Sequence, residues 1–270
     1  MNQNNAGQEL SEDVEEIKAE LENISEAIES NNSFWQKLRN FIFTIVALML
    51  ALGQWGDVKD VVEDIYSTVI TNFTNNIEYN DLSNISVGIT KNYFIEVLGE
   101  PRVIKTSAIN PSLEFYYIFH DKFLLCGIFE KNRLKGYSVL ALKDDFYLQI
   151  PFSNLTLQDG GLINSSDMID GFVSDSVNIV FYLENQKMGI EGVFYNRALG
   201  AVYYSEPSKN ISEQMYELEQ QRMFGNDASI VEQQQKLRRY IKPNYLAISE
   251  LPLDVIAESQ LTKYEYNHLK

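Results

Sequence analysis

The amino-acid sequence predicts an α+β protein: an N-terminal coiled-coil and transmembrane helix, then an antiparallel-sheet domain with C-terminal helices. Three observations carry that prediction. Apolar residues at heptad spacing open the chain, an apolar run between the only two tryptophans follows, and from about residue 102 short apolar strands alternate with turn residues. Hydrophobic residues at 45% and aromatics at 12% supply enough material for a core and exclude wholesale disorder.

The first segment, 1–33, reads as an acidic helix. Leu10, Val14, Ile17, Leu21, Ile24 and Ile28 are spaced four, three, four, three, four, an unbroken coiled-coil seam. Ser11 suits the N-cap, with Glu12, Asp13, Glu15 and Glu16 in the dipole-favourable first turn. A lone helix of this kind is weak in water, so self-association is the natural way to bury the seam. The competing reading lays the helix on the protein's own globular domain.

The segment 34–56 reads as a membrane span. The run 41–52, bounded by Phe41 and Leu52, contains only Thr44 as a polar residue and is too short alone. Trp35 and Trp55 lie 20 positions apart, which at about 1.5 Å per residue gives roughly 30 Å, the thickness of a hydrocarbon core. Indole rings favour both interfaces, and Lys37 and Arg39 can snorkel toward headgroups. The heptad spacing also continues through Asn31, Trp35, Leu38, Ile42, Ile45, Met49 and Leu52, so one helix can pass from coil into bilayer. The alternative is a buried helix of a soluble protein. Residues 1–33 precede the span, which predicts an uncleaved signal-anchor. Lys37 and Arg39 before it, against Lys59 after it, place the N-terminus on the cytoplasmic side of a bacterial inner membrane.

Next, Val58, Val61, Val62, Ile65, Val69, Ile70 and Phe73 predict an amphipathic connecting helix over 57–80. The module 81–157 begins with Gly88-Ile89-Thr90. Thr90 is the expected cap of a short helix that Gly99 and Pro101 stop. Strands are expected over 102–105, 113–119, 123–129 and 136–142, with Asp121-Lys122 and Lys131-Asn132-Arg133 in their turns. A second strand-rich stretch, 158–206, follows the turn-rich boundary from Gln158 to Gly171, with strands over 178–183, 188–194 and 198–204. It either extends one sheet or starts a second lobe. The section 207–270 reads as helical, with helices around 211–223 and 230–241 separated by Phe224-Gly225-Asn226-Asp227 and ended by Pro243.

Gly88-Ile89-Thr90, the short helix, Leu98-Gly99-x-Pro101 and the tyrosine-rich strand after them resemble the small helix-plus-meander domain of the BamE/SmpA lipoproteins, which assist outer-membrane protein assembly. The resemblance covers residues 82–142 and implies an α+β module with an envelope role. The chain departs from that pattern in having no lipobox cysteine and a membrane helix instead, and the resemblance assigns no binding role to particular residues here.

The remaining chemistry is sparse. A net charge of -16 argues against broad nucleic-acid binding, because such affinity comes from Lys and Arg displacing counterions. Cys126, the only cysteine, sits in an apolar strand and reads as a buried thiol; no internal disulfide is possible. His120 and His268 have no partners at metal spacing. His120 and Asp121 are neighbours that point to opposite faces of a strand. Asp144, Asp145, Asp167 and Asp170 read as solvated turn carboxylates. Gly160-Gly161 lacks the partners of a nucleotide loop. The expectation is therefore no catalytic set, no metal and no cofactor.

The best polar cluster is Lys236, Arg238, Arg239 and Lys242, a candidate site for a small anionic ligand or a lipid headgroup. Favourable charge at a helix C-terminus explains it more simply. Lys131, Arg133 and Lys135 read as a charged hairpin tip. Two functional readings follow: a membrane-anchored, self-associating interaction protein of the bacterial envelope without enzymatic activity, with an unknown protein partner, or a membrane effector or sensor of a bacterial defence system with a cytoplasmic ligand-binding domain.

Overall fold

The computed structural model describes residues 76–164, 169–189 and 195–269. The seam from Leu10 to Ile28, the span around Trp35 and Trp55 and the connecting helix up to residue 75 lie outside the described residues. Compactness divides the chain into Met1–Leu82 and Ser83–Lys270. Of the first unit, the described residues belong to helix α1 (Asn76–Ser83), which runs across the boundary. Among the described residues no helix is long and apolar enough to cross a membrane.

The second unit is an α+β fold on one eight-stranded antiparallel sheet. Its strands are β1 (Val103–Thr106), β2 (Leu113–Phe119), β3 (Phe123–Glu130), β4 (Arg133–Ala141), β5 (Gly171–Asp175), β6 (Val180–Lys187), β7 (Asn196–Tyr203) and β8 (Tyr245–Ser249), in spatial order β1-β2-β3-β4-β8-β7-β6-β5. Two runs of neighbouring antiparallel strands thus meet along β4 and β8, so the two strand-rich stretches share one sheet.

Helix α2 (Lys91–Leu98) starts where Thr90 accepts a hydrogen bond from the Tyr93 amide, and Gly99 at φ 87° ends it, its N–H donating to the Ile95 carbonyl. Only glycine adopts that φ freely. Phe94 then lies edge-on to Phe129, ring centroids 5.2 Å apart. Gly127 makes the approach possible, since a Cβ there would fall 2.7 Å from the Phe94 ring.

Several strand expectations differ from the structure. β8 lies in the section expected to be helical, yet it is central, buried along its whole length and paired with β4 and β7. With both faces covered it has no polar alternation, and a run of five apolar or small residues has no period to distinguish it from helix. β5 falls where a turn was expected at Asp170-Gly171; it is a half-buried edge strand. Of the strand expected over 188–194, Met188 and Gly189 follow the end of β6, and 190–194 lie outside the described residues. β4 also starts three residues early, because Lys131 takes a left-handed conformation (φ 56°) and lets Arg133 pair directly with Glu130.

One face of the sheet carries Phe115, Tyr117, Cys126, Leu140, Leu183 and Ala247 against two short C-terminal helices, α5 (Leu253–Glu258) and α6 (Lys263–Leu269). On the second half of the sheet, the other face carries the hairpin of α3 (Lys209–Phe224) and α4 (Asp227–Tyr240). Asn226 and Ser229 form a capping box at the start of α4, which is why the chain reverses at the expected break.

Candidate functional site

Helix α4 divides its cations. Lys236 is exposed and pairs with Glu232 at 2.8 Å, one turn earlier. Arg239 and Lys242 are also exposed. Arg238 is fully buried, its Nε 2.8 Å from the carboxylate of Glu184, itself only 4% exposed on β6. The four residues therefore do not converge on one surface site, because Gln234, Leu237, Arg238 and Ile241 form the inward stripe of α4 at helical spacing.

Arg238 belongs to an internal polar network. The Tyr182 hydroxyl donates to Glu184 at 2.7 Å, and Gln234 Nε2 donates to that hydroxyl at 2.8 Å. Arg238 also reaches the Leu162 carbonyl. Burial pushes the Glu184 carboxyl up to about 7, with the Tyr182 and Arg238 contacts pulling it back. Burial likewise raises the Tyr182 phenol. At the adjacent edge Ser174 donates to Glu219 at 2.6 Å, fastening α3 to β5. These contacts complete one another and hold the hairpin on the sheet.

The opposite face has a different character. Between the sheet and the α5–α6 corner lies a narrow cavity walled by Leu124, Leu140, Val202 and Leu261 and lined by Tyr117, Cys126, Ser138, Tyr204, Tyr245, Ser259 and Gln260. It admits a water-sized molecule, and a larger guest requires its walls to move. No charged side chain among the described residues lines it. Two hydroxyls are committed to the corner's backbone: Tyr117 donates to the Ser259 carbonyl at 2.8 Å and Tyr204 to that of Leu261 at 3.1 Å. The Tyr245 hydroxyl sits near Ser138 and Ser259 but makes no well-formed hydrogen bond. Gln260 is 7% exposed, and neither its amide oxygen nor its amide nitrogen has a partner.

The rim is tied to the sheet edge. Tyr204 stacks on Tyr266 with centroids 3.8 Å apart, and Lys105 pairs with Glu265 at 2.8 Å. Glu258 accepts from the Ser107 hydroxyl and the amides of Ala108 and Ile109.

Chemically, this cavity can exchange hydrogen bonds but presents no activated nucleophile. Burial raises the Cys126 thiol to about 12, far from the thiolate a nucleophile needs. The other residues weighed from the sequence are dispersed. His120 is exposed, accepts from the Lys122 amide and stacks on Phe123. Asp170 accepts from the Lys187 amide, and Asp167 lies outside the described residues. Arg133 and Lys135 both grip Glu250, with Lys135 at 2.7 Å, and the Arg133 guanidinium above all holds that carboxyl down to about 2. Among the described residues no group of three His, Cys, Asp or Glu is placed to hold a metal.

Sequence reasoning missed Glu184 and Gln260. For Arg238 a signal existed, its place on the apolar stripe with Leu237 and Ile241. For Gln260 none did, since the corner Ser-Gln-Leu-Thr reads as an ordinary linker. No family model, curated protein or solved structure matches the chain.

Proposed function

We propose that the chain is a membrane-anchored, self-associating interaction protein of the bacterial envelope, without enzymatic activity. In this reading it is a single-pass protein of the inner membrane with a cytoplasmic N-terminus. The observation that carries the non-enzymatic part is the state of the buried ionisable groups: Glu184, Tyr182 and Arg238 are spent on one another, and Cys126 is held protonated. The tryptophan spacing and the heptad seam support the anchor and the self-association. The resemblance of residues 82–142 to the BamE/SmpA domain is compatible with an envelope role, although a fold does not determine function.

Fractionation of expressing cells tests this directly. The chain is expected in the membrane pellet after a high-salt wash and, once solubilised in detergent, at a protein mass well above one 31.1 kDa chain. A chain that stays in the supernatant without detergent contradicts the anchor, and a strict monomer contradicts the self-association.

A second reading, a membrane effector or sensor of a defence system with a cytoplasmic ligand-binding domain, is favoured by the unpartnered amide of Gln260. A C-terminal alkaline-phosphatase fusion separates the two. Activity places the folded unit outside the cytoplasm and supports the first reading. An inactive fusion beside an active cytoplasmic reporter supports the second.

A further inference from the structure

We infer that the outer edge of β5 is a docking site for an extended segment of a partner protein, which adds to the sheet as a further strand and carries Lys or Arg at both ends of its paired stretch. The inference deepens the interaction-protein reading and rests on it. β5 ends the sheet, and among the described residues only β6 pairs with it. Alternate residues of an antiparallel strand turn their N–H and C=O to one side, so a terminal strand offers a row of unanswered backbone groups. Chains commonly protect such an edge with proline, charge or a bulge. β1, at the other end of the sheet, is protected in this way. Pro101 and Arg102 precede it and Lys105 lies within it, with Arg102 bonded to the Leu269 carbonyl and Lys105 to Glu265 on α6. β5 reads Gly-Phe-Val-Ser-Asp, without proline, Lys or Arg, and its pairing with β6 runs without a register shift.

The open strand is fastened on both faces. Ser174 donates to Glu219 on α3, the Arg222 guanidinium stands 5.6 Å from the centroid of the Phe172 ring, and Val173 packs against the core cluster on the opposite side. Charge then decides what fits the edge. Asp170 and Asp175 bracket β5, and their carboxylates accept from the amides of Lys187, Val177 and Asn178. Neither carboxylate has a cation partner among the described residues. Pairing β5 with β5 of a second copy about Val173 sets Asp170 of one chain beside Asp175 of the other at both ends, between chains of net charge -16. Like charges across neighbouring strands are destabilising, and opposite charges stabilising. A partner strand with a cation at each end makes both contacts favourable, and β-branched residues between them suit Phe172 and Val173.

The test uses the full chain in detergent micelles and the peptide acetyl-Lys-Val-Thr-Val-Thr-Lys-amide, followed by hydrogen–deuterium exchange. Saturable slowing of exchange is expected in β5 and none in β1, which reports non-specific association. Two further peptides carry N-methyl groups on both valines or on both threonines. One of them is expected to bind about tenfold more weakly, because main-chain hydrogen bonds carry the affinity of strand addition. A peptide with Glu in place of both Lys is expected to bind several-fold more weakly. Asp170→Asn combined with Asp175→Asn keeps the side-chain acceptors of both turns and is expected to bring the Lys and Glu peptides level. Should that variant fail to fold, the peptide comparisons decide. No slowing in β5, equal slowing in β1, or equal binding of both N-methylated peptides overturns the inference. Protection of every β5 amide before peptide is added means that a second copy occupies the edge and also overturns it. Fractionation and detergent mass test the anchor and the self-association separately, so a failure of strand addition is distinguishable from a failure of that reading.

Discussion

Both faces of the eight-stranded sheet are covered by helices, but one cover buries an ion pair and the other buries none of its own. Under the α3–α4 hairpin, Tyr182, Glu184, Gln234 and Arg238 are buried and each contacts another of the four. Under α5–α6 the packing is largely apolar and aromatic, and Gln260 is left with an unanswered amide beside a cavity. Removing one member of a buried ionic network exposes the next to the full cost of burial without a partner. An amide that is already unpaired has that cost built in, about 1–3 kcal/mol. The first face is thus tied together by polar contacts, and the second carries an amide without a partner.

The largest effect that separates the faces is expected from Arg238→Met. It leaves Glu184 buried without a counter-charge and costs about 3–5 kcal/mol at pH 8. Burial already holds the folded carboxyl at about 7, above its ordinary value of 4.5, and loss of the guanidinium moves it higher. The folded state then binds this proton more tightly than the unfolded chain. Its favourable contribution is complete below about 4.5 and is lost as the pH rises through the raised value. Urea denaturation at pH 8 and pH 5 checks this, with a clearly smaller loss expected at pH 5. Adding Glu184→Met is expected to recover most of the loss, since a buried pair replaced by apolar groups is often close to neutral.

Leu261→Ala probes the other face. It removes a fully buried side chain from the cavity wall, for roughly 2–4 kcal/mol. No charged group among the described residues lines that cavity, so the loss should be the same at pH 5 and pH 8. A pH-dependent loss here would erase the contrast between the faces.

Legibility followed local rules. Thr90, Gly99 and Pro101 delimit α2 because caps act within one turn, and β2 and β3 stand out as apolar runs between clear turn residues. The helices of the α3–α4 hairpin were legible from Ile211, Met215, Leu218 and Leu237 at helical spacing. β8 was not, since a short central strand buried on both faces has no alternation. The cation cluster on α4 misled because adjacent charges in sequence point to different sides of a helix, and a buried arginine needs a partner, Glu184, that is 54 positions away. Gln260 was invisible because being unpartnered is a property of the assembled fold and of no residue alone.

The contrast between the faces is tested most directly by comparing two glutamine variants of the full chain in detergent. Gln234→Leu takes a donor from the Tyr182 hydroxyl and is expected to lose about 1 kcal/mol in urea denaturation. Gln260→Leu removes an amide that has no partner and is expected to leave stability unchanged or raise it by up to about 1 kcal/mol. A loss at Gln260→Leu as large as that at Gln234→Leu would mean that the Gln260 amide is already paired within the fold, and would contradict the account.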